Sequence, residues 1–101
     1  MDKVLEITVE ELRDNQERYV LVDVREPHEL LGSEGHIEGV TIAPLGPTLA
    51  RFLNSADTHK HYVFICLSGF RSEKACEFAQ AYGFTNVYNL KGGMLQWNKS
   101  I

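Results

Sequence analysis

Residues 62–72 read YVFICLSGFRS, so an apolar run ends in Cys66 and turns at once through Ser-Gly into Arg-Ser. A thiol placed there is either one more small core residue or a nucleophile at the mouth of a loop. The nucleophilic form is the thiolate. Inward-pointing loop amides and the N-terminus of a following helix stabilise that anion, lowering a cysteine pKa from about 8.5 to as little as about 3.5–7.5. Gly69 lets such a loop bend and bring its amide close to the anion. Arg71 either donates to a bound oxyanion or braces the loop carbonyls. The candidate cradle is therefore Ser68, Gly69, Phe70, Arg71 and Ser72, with Leu67 beside the thiol. Phe70 either lines its rim or shields the core, and Ser72 either joins it or only caps the helix.

Other reactive residue types read differently. Cys76 lies about a helical turn beyond the loop, beside Ala75, and reads as a small core hydrophobe. A resolving role would need the two Cα atoms within about 7 Å. The two cysteines form no Cys-x-x-Cys pair, and no structural disulfide or metal site is expected from them. His59 and His61, in DTHKHYV, have no cysteine or carboxylate cluster beside them and read as solvated loop residues. His36 is expected to tie its turn to the region of Asp23 or Glu29. Asp23 and Arg25 fall at the end of the second apolar run, near the same edge as Cys66. They either brace the loop or touch substrate directly.

The elements that must position these residues follow from the patterning. Val/Ile/Tyr-rich runs occur at VLEI from Val4, YVLVDV from Tyr19, GVTI from Gly39, YVFIC from Tyr62 and TNVYNL from Thr85. Three are nearly continuous in apolar residues, as strands covered on both faces are. Helical segments alternate with them. Thr8 and Glu11 form a capping-box pattern for VEELRDNQ, while Pro27 and Pro47 suit the first turns of PHELL and PTLARFL. Ala75, Phe78, Ala79 and Tyr82 are spaced as one buried helical face, with Gly83 and Phe84 as a Schellman stop. Met94, Leu95 and Trp97 read as a short helix packed on the core. The result is an α/β layered domain with a largely parallel sheet and a thiol at the carboxyl end of a strand, where open sheets bind ligands.

With 101 residues and 44% hydrophobic content, one domain over residues 1–101 is expected. A net charge of −4 argues against nucleic acid and acidic membrane surfaces. The acidic start MDKVLEITVEEL lacks the apolar run of a signal peptide, and no later run suits a bilayer span, so a cytoplasmic protein is expected.

CLSGFRS resembles the active-site loop of rhodaneses, sulfurtransferases that carry sulfur as a cysteine persulfide. In the family's order, LVDVREPHEL resembles its Asp-x-Arg-Glu segment, GHIEGVTIAPL its Gly-His-Ile-x-Gly segment, and GFTNVYNLKGGMLQW its Gly-Gly-x-x-x-Trp ending. The resemblance runs from about Val20 to Trp97. It implies a three-layer α/β/α domain with a five-stranded parallel sheet, Cys66 as nucleophile, and no metal or organic cofactor. It also implies a small sulfur donor such as thiosulfate or a persulfide, with a thiol or cyanide as acceptor. A protein persulfide partner is the alternative, and a monomer is expected. Members active on thiosulfate often carry Arg or Lys directly after the cysteine. Leu67 stands there, so weak use of that dianion is expected. Related phosphatases and arsenate reductases resemble this loop less, because they space cysteine and arginine by five residues where this chain has four. Such phosphatases also carry histidine where Ile65 stands.

Overall fold

The computed structural model describes residues 3–100. In chain order the elements are β1 (Leu5–Ile7), α1 (Val9–Asp14), a 3-10 turn (Gln16–Arg18), β2 (Val20–Asp23), α2 (Pro27–Leu30), β3 (Thr41–Ile42), α3 (Pro47–Ser55), β4 (Tyr62–Ile65), α4 (Phe70–Ala81), β5 (Val87–Leu90) and α5 (Gly93–Lys99). Each apolar run contains a strand, and each helical segment a helix.

The five strands are all parallel, in the order β1-β5-β4-β2-β3. Alternate residues of the inner strands point to opposite faces. Val22, Phe64 and Cys66 pack with Leu49 and Leu53 of α3 and Ala75 and Ala79 of α4. Leu21, Val63, Ile65 and Leu90 pack with Val9 and Leu12 of α1 and Met94 and Trp97 of α5. Both faces of β4 are thus covered, which is why its sequence shows no polar alternation. Burying each such side chain stabilises the fold by about 1.5–3 kcal/mol. The molecule is the expected three-layer α/β/α sandwich. Among the described residues no helix is long and apolar enough to cross a membrane.

Local signals set several boundaries. The Glu11 amide donates to Thr8 Oγ1 and the Thr8 amide to Glu11 Oε1, both at 3.1 Å, closing the capping box of α1. At the end of α4, Gly83 takes φ +92°, its amide donates to Gln80 O, and the Phe84 amide reaches back to Ala79 O. That is the Schellman stop, with Phe84 buried.

The buried face of α4 differs from the expected one. Ser72, Ala75, Cys76 and Ala79 face inward, whereas Phe78 and Tyr82 are each 37% exposed and pack on one another. The helix starts at Phe70, inside the loop, and Ser72 is drawn toward Cys66. That anchoring sets the rotation of the helix, and the small residues let it lie close to the sheet. On α5, Met94 and Trp97 are buried, but Leu95 is exposed and not core.

From β2 the chain passes outward to β3, whereas from β4 it passes the other way to β5. The carboxyl ends of β2 and β4 therefore flank a topological switch point, with Asp23 in register with Ile65.

Candidate active site

Cys66 follows the last residue of β4, and its sulfur accepts hydrogen bonds from the Gly69 amide at 3.1 Å and the Ser72 amide at 3.3 Å. Ser72 Oγ lies 3.2 Å from the same sulfur. Amides can converge inward only if the loop carbonyls find donors elsewhere. They do so behind the loop. Cys66 O accepts from the Met94 amide at 2.9 Å, Leu67 O from the Leu95 amide at 3.1 Å, and Gly69 O from Asn89 Nδ2 at 3.0 Å. The first N–H groups of α5, which have no partner inside their own helix, thus hold the back of the loop. Gly93 permits this approach: a Cβ there would lie 2.5 Å from both Cys66 O and Leu67 O. Gly69 begins α4 with φ +108°, a conformation that other residues rarely adopt.

Burial pushes the Cys66 thiol up, but hydrogen bonds from Ser72, Gly69 and Ser68 outweigh it, and the group lies below its ordinary value. Cys76 has the burial without the donors. Its thiol is pushed up to about 12, with Glu73 and Glu77 adding to the effect. Buried and protonated, Cys76 is a core residue.

Arg71 pairs with a side chain that neither expectation named. Its Nη1 and Nη2 donate to Glu29 Oε2 and Oε1 at 2.8 and 2.9 Å, a bidentate and partly exposed pair across the switch point. The guanidinium holds the Glu29 carboxyl at about 2, and the carboxylate in turn raises Arg71. Glu29 also accepts from the Glu26 amide at 2.8 Å, which fixes its rotamer at the start of α2. The Glu26–Glu29 spacing was a readable capping signal. Its partner 42 residues away was not.

Asp23 and Arg25 form a fully buried pair, with Arg25 Nη2 2.8 Å from Asp23 Oδ2. The same Nη2 donates to Gly35 O at 2.9 Å. They therefore brace the segment that carries Glu29. Among the described hydrogen bonds neither reaches the sulfur. His36 Nδ1 lies 3.2 Å from Leu30 O, tying its turn to the end of α2. Leu67 is half-buried, Ser68 is exposed, and Phe70 is 73% exposed, so Phe70 stands at the rim and shields no core. Ser72 is buried inside the first turn of α4 and is not its cap, a position held by Gly69. Asn89, which no motif singled out, is buried on β5 and bonds both Ser72 and Gly69. Its signal was an amide in an otherwise apolar strand. His59 and His61 are exposed, beside Asp57 and the Tyr88 hydroxyl.

The loop amides meet one sulfur at the sheet's carboxyl edge, and some of the known proteins that this chain resembles are named for sulfur transfer. The putative sulfurtransferase YtwF of Bacillus subtilis is 38% identical over 88 residues, covering 87% of this chain and 81% of that one. The thiosulfate sulfurtransferase GlpE of Shewanella oneidensis is 31% identical over 80 residues, with 79% and 76% covered. Among solved structures, a rhodanese-related protein of Thermoplasma volcanium superposes with a TM-score of 0.84 at 31% identity, covering 95% of this chain and 92% of that one. The model of the rhodanese-like domain matches residues 8–100, and the chain belongs to that family.

Proposed function

We propose that the protein is a sulfurtransferase that acts as a single domain and carries sulfane sulfur on Cys66. The observation that carries this reading is the set of amides aimed at one buried sulfur. The Cys66 thiolate attacks the outer sulfur of a donor, forming a new S–S bond. The donor's own bond to that sulfur breaks, and its electron pair leaves with the remainder, a thiolate or, from thiosulfate, sulfite. The persulfide anion that results is stabilised by Ser68, Gly69 and Ser72 amides, which cost no reorganisation because the fold has already fixed them. A thiol or cyanide then takes the outer sulfur and Cys66 leaves as thiolate. The route as written uses no metal or organic cofactor.

A persulfide donor, small or protein-borne, suits the site better than thiosulfate. Arg71, the cation nearest the sulfur in sequence, is already paired with Glu29, and Leu67 and Phe70 make the mouth apolar.

Intact mass after incubation with each donor tests both points. One sulfur atom should be gained, more completely from a persulfide, and released by cyanide. Uptake by Cys66→Ser, or loss of uptake in Cys76→Ser, refutes the assignment.

A further inference from the structure

Cys66, Ser72, Asn89 and the Gly69 carbonyl form one unbroken line of contacts. Cys66 Sγ lies 3.2 Å from Ser72 Oγ, Ser72 Oγ meets Asn89 Oδ1, and Asn89 Nδ2 lies 3.0 Å from Gly69 O. The Gly69 carbonyl can only accept, so the Asn89 amide must turn its NH2 there and its oxygen to Ser72. That oxygen can also only accept. Ser72 must therefore give it the single hydroxyl proton, and toward the sulfur Ser72 then presents a lone pair. A thiol S–H satisfies that lone pair, whereas a thiolate is repelled by it.

We propose that Asn89 is a positioning residue: it holds the Ser72 proton away from the sulfur and so opposes the ionisation of Cys66 until the hydroxyl turns. On ionisation the thiol proton passes to solvent, Ser72 swings its O–H from Asn89 Oδ1 to Sγ, and Asn89 Oδ1 loses its donor. No other bond changes. The Gly69 and Ser72 amides favour the anion in either hydroxyl orientation, and Asn89 works against them. The charged groups around the sulfur are the Arg71–Glu29 pair from α4 and α2 and the Asp23–Arg25 pair at the end of β2. Glu73 and Lys74 on α4 are exposed, α3 brings Leu49 and Leu53 to the cluster, and α5 brings backbone amides. The inference rests on Cys66 being the sulfur-carrying thiol and adds what sets its ionisation.

The test is the pH profile of Cys66 alkylation by iodoacetamide on the full chain carrying Cys76→Ser, because both cysteines are buried and one thiol must be read alone. Asn89→Leu frees the Ser72 proton and should move the midpoint about one pH unit lower, the scale of one hydrogen bond to a charged group. In a Ser72→Ala background the same substitution should produce no such lowering. If Asn89 only secures the Gly69 carbonyl, Asn89→Leu loosens the cradle and raises the midpoint equally in both backgrounds, which overturns the proposal. Should Asn89→Leu fail to fold, Asn89→Asp carries the test. A carboxylate grips the hydroxyl proton harder, so the midpoint should rise more with Ser72 present than in the Ser72→Ala background. Equal rises overturn the proposal. Sulfur uptake is read by intact mass on the same samples. A wild type that takes up no sulfur yet shows the Ser72-dependent shift refutes the transfer reading and supports this one.

Discussion

Arg71 commits both Nη atoms to Glu29, and in the proposed transfer it would steady the loop that holds the Cys66 sulfur. Removing one partner of a charged hydrogen-bonded pair typically costs about 1.5–3 kcal/mol, or roughly tenfold to hundredfold in kcat/KM. Arg71→Ala should fall in that range with a persulfide donor, and Arg71→Lys should recover little because a point charge cannot replace a planar fork. If the two residues act as one brace, Glu29→Ala should cost a similar amount, and the double variant little more than either single one. Costs that add fully in the double variant would show that Arg71 works independently of Glu29. Leu67 sets the other residue-scale expectation. With Arg71 neutralised, a second cation beside the thiol is what a dianion lacks. Leu67→Arg should lower the KM for thiosulfate by about tenfold, and added salt should erase much of the gain because the mouth is open to solvent. An unchanged KM would remove charge from the explanation of donor choice.

At the scale of elements, the site depends on α5 docking its first amides on the loop, and that docking depends on Gly93. Gly93→Ala puts a Cβ against two carbonyl oxygens at a backbone φ of +59°. Strain of this kind costs about 1–3 kcal/mol before the clash is counted. The urea midpoint should drop, and the Cys66 alkylation profile should move up toward that of an ordinary thiol as the cradle opens. A stable Gly93→Ala protein with an unaltered profile would mean that α5 does not shape the loop. What the sequence discloses divides along the same line. Thr8 with Glu11, Pro27, Pro47 and Gly83 act on neighbours within one turn, so their helix ends are legible. Strands β2 and β4 are legible because burial on both faces leaves unbroken apolar runs. The rotation of α4 is not, since Ser72 is held by Cys66 and Asn89 rather than by its own helix. Arg71 with Glu29 and Ser72 with Asn89 join positions 42 and 17 residues apart, and no spacing rule connects them.

For the molecule as a whole, the Glu29–Arg71 pair couples the two halves of the sheet at the switch point and makes stability depend on pH. The Glu29 carboxyl falls from 4.5 to about 2 on folding, chiefly through its bonds to Arg71. A depressed carboxylate contributes stability that is fully present above the unfolded value and is lost as pH falls through the folded one. Wild type should therefore exceed Glu29→Gln in urea midpoint at neutral pH, and the gap should close as pH falls from 4.5 to about 2. A gap that stays constant over that window would show that the pair contributes by shape and not by charge. The docking of α5 carries one more consequence, in the order of synthesis. A ribosome delivers Cys66 and all of α4 before Gly93 exists, and until α5 arrives two carbonyls of the loop lack the amides that turn them outward. A half-made chain thus carries an ordinary cysteine, and the sulfur transfer proposed for it would begin only when the fold has closed behind it.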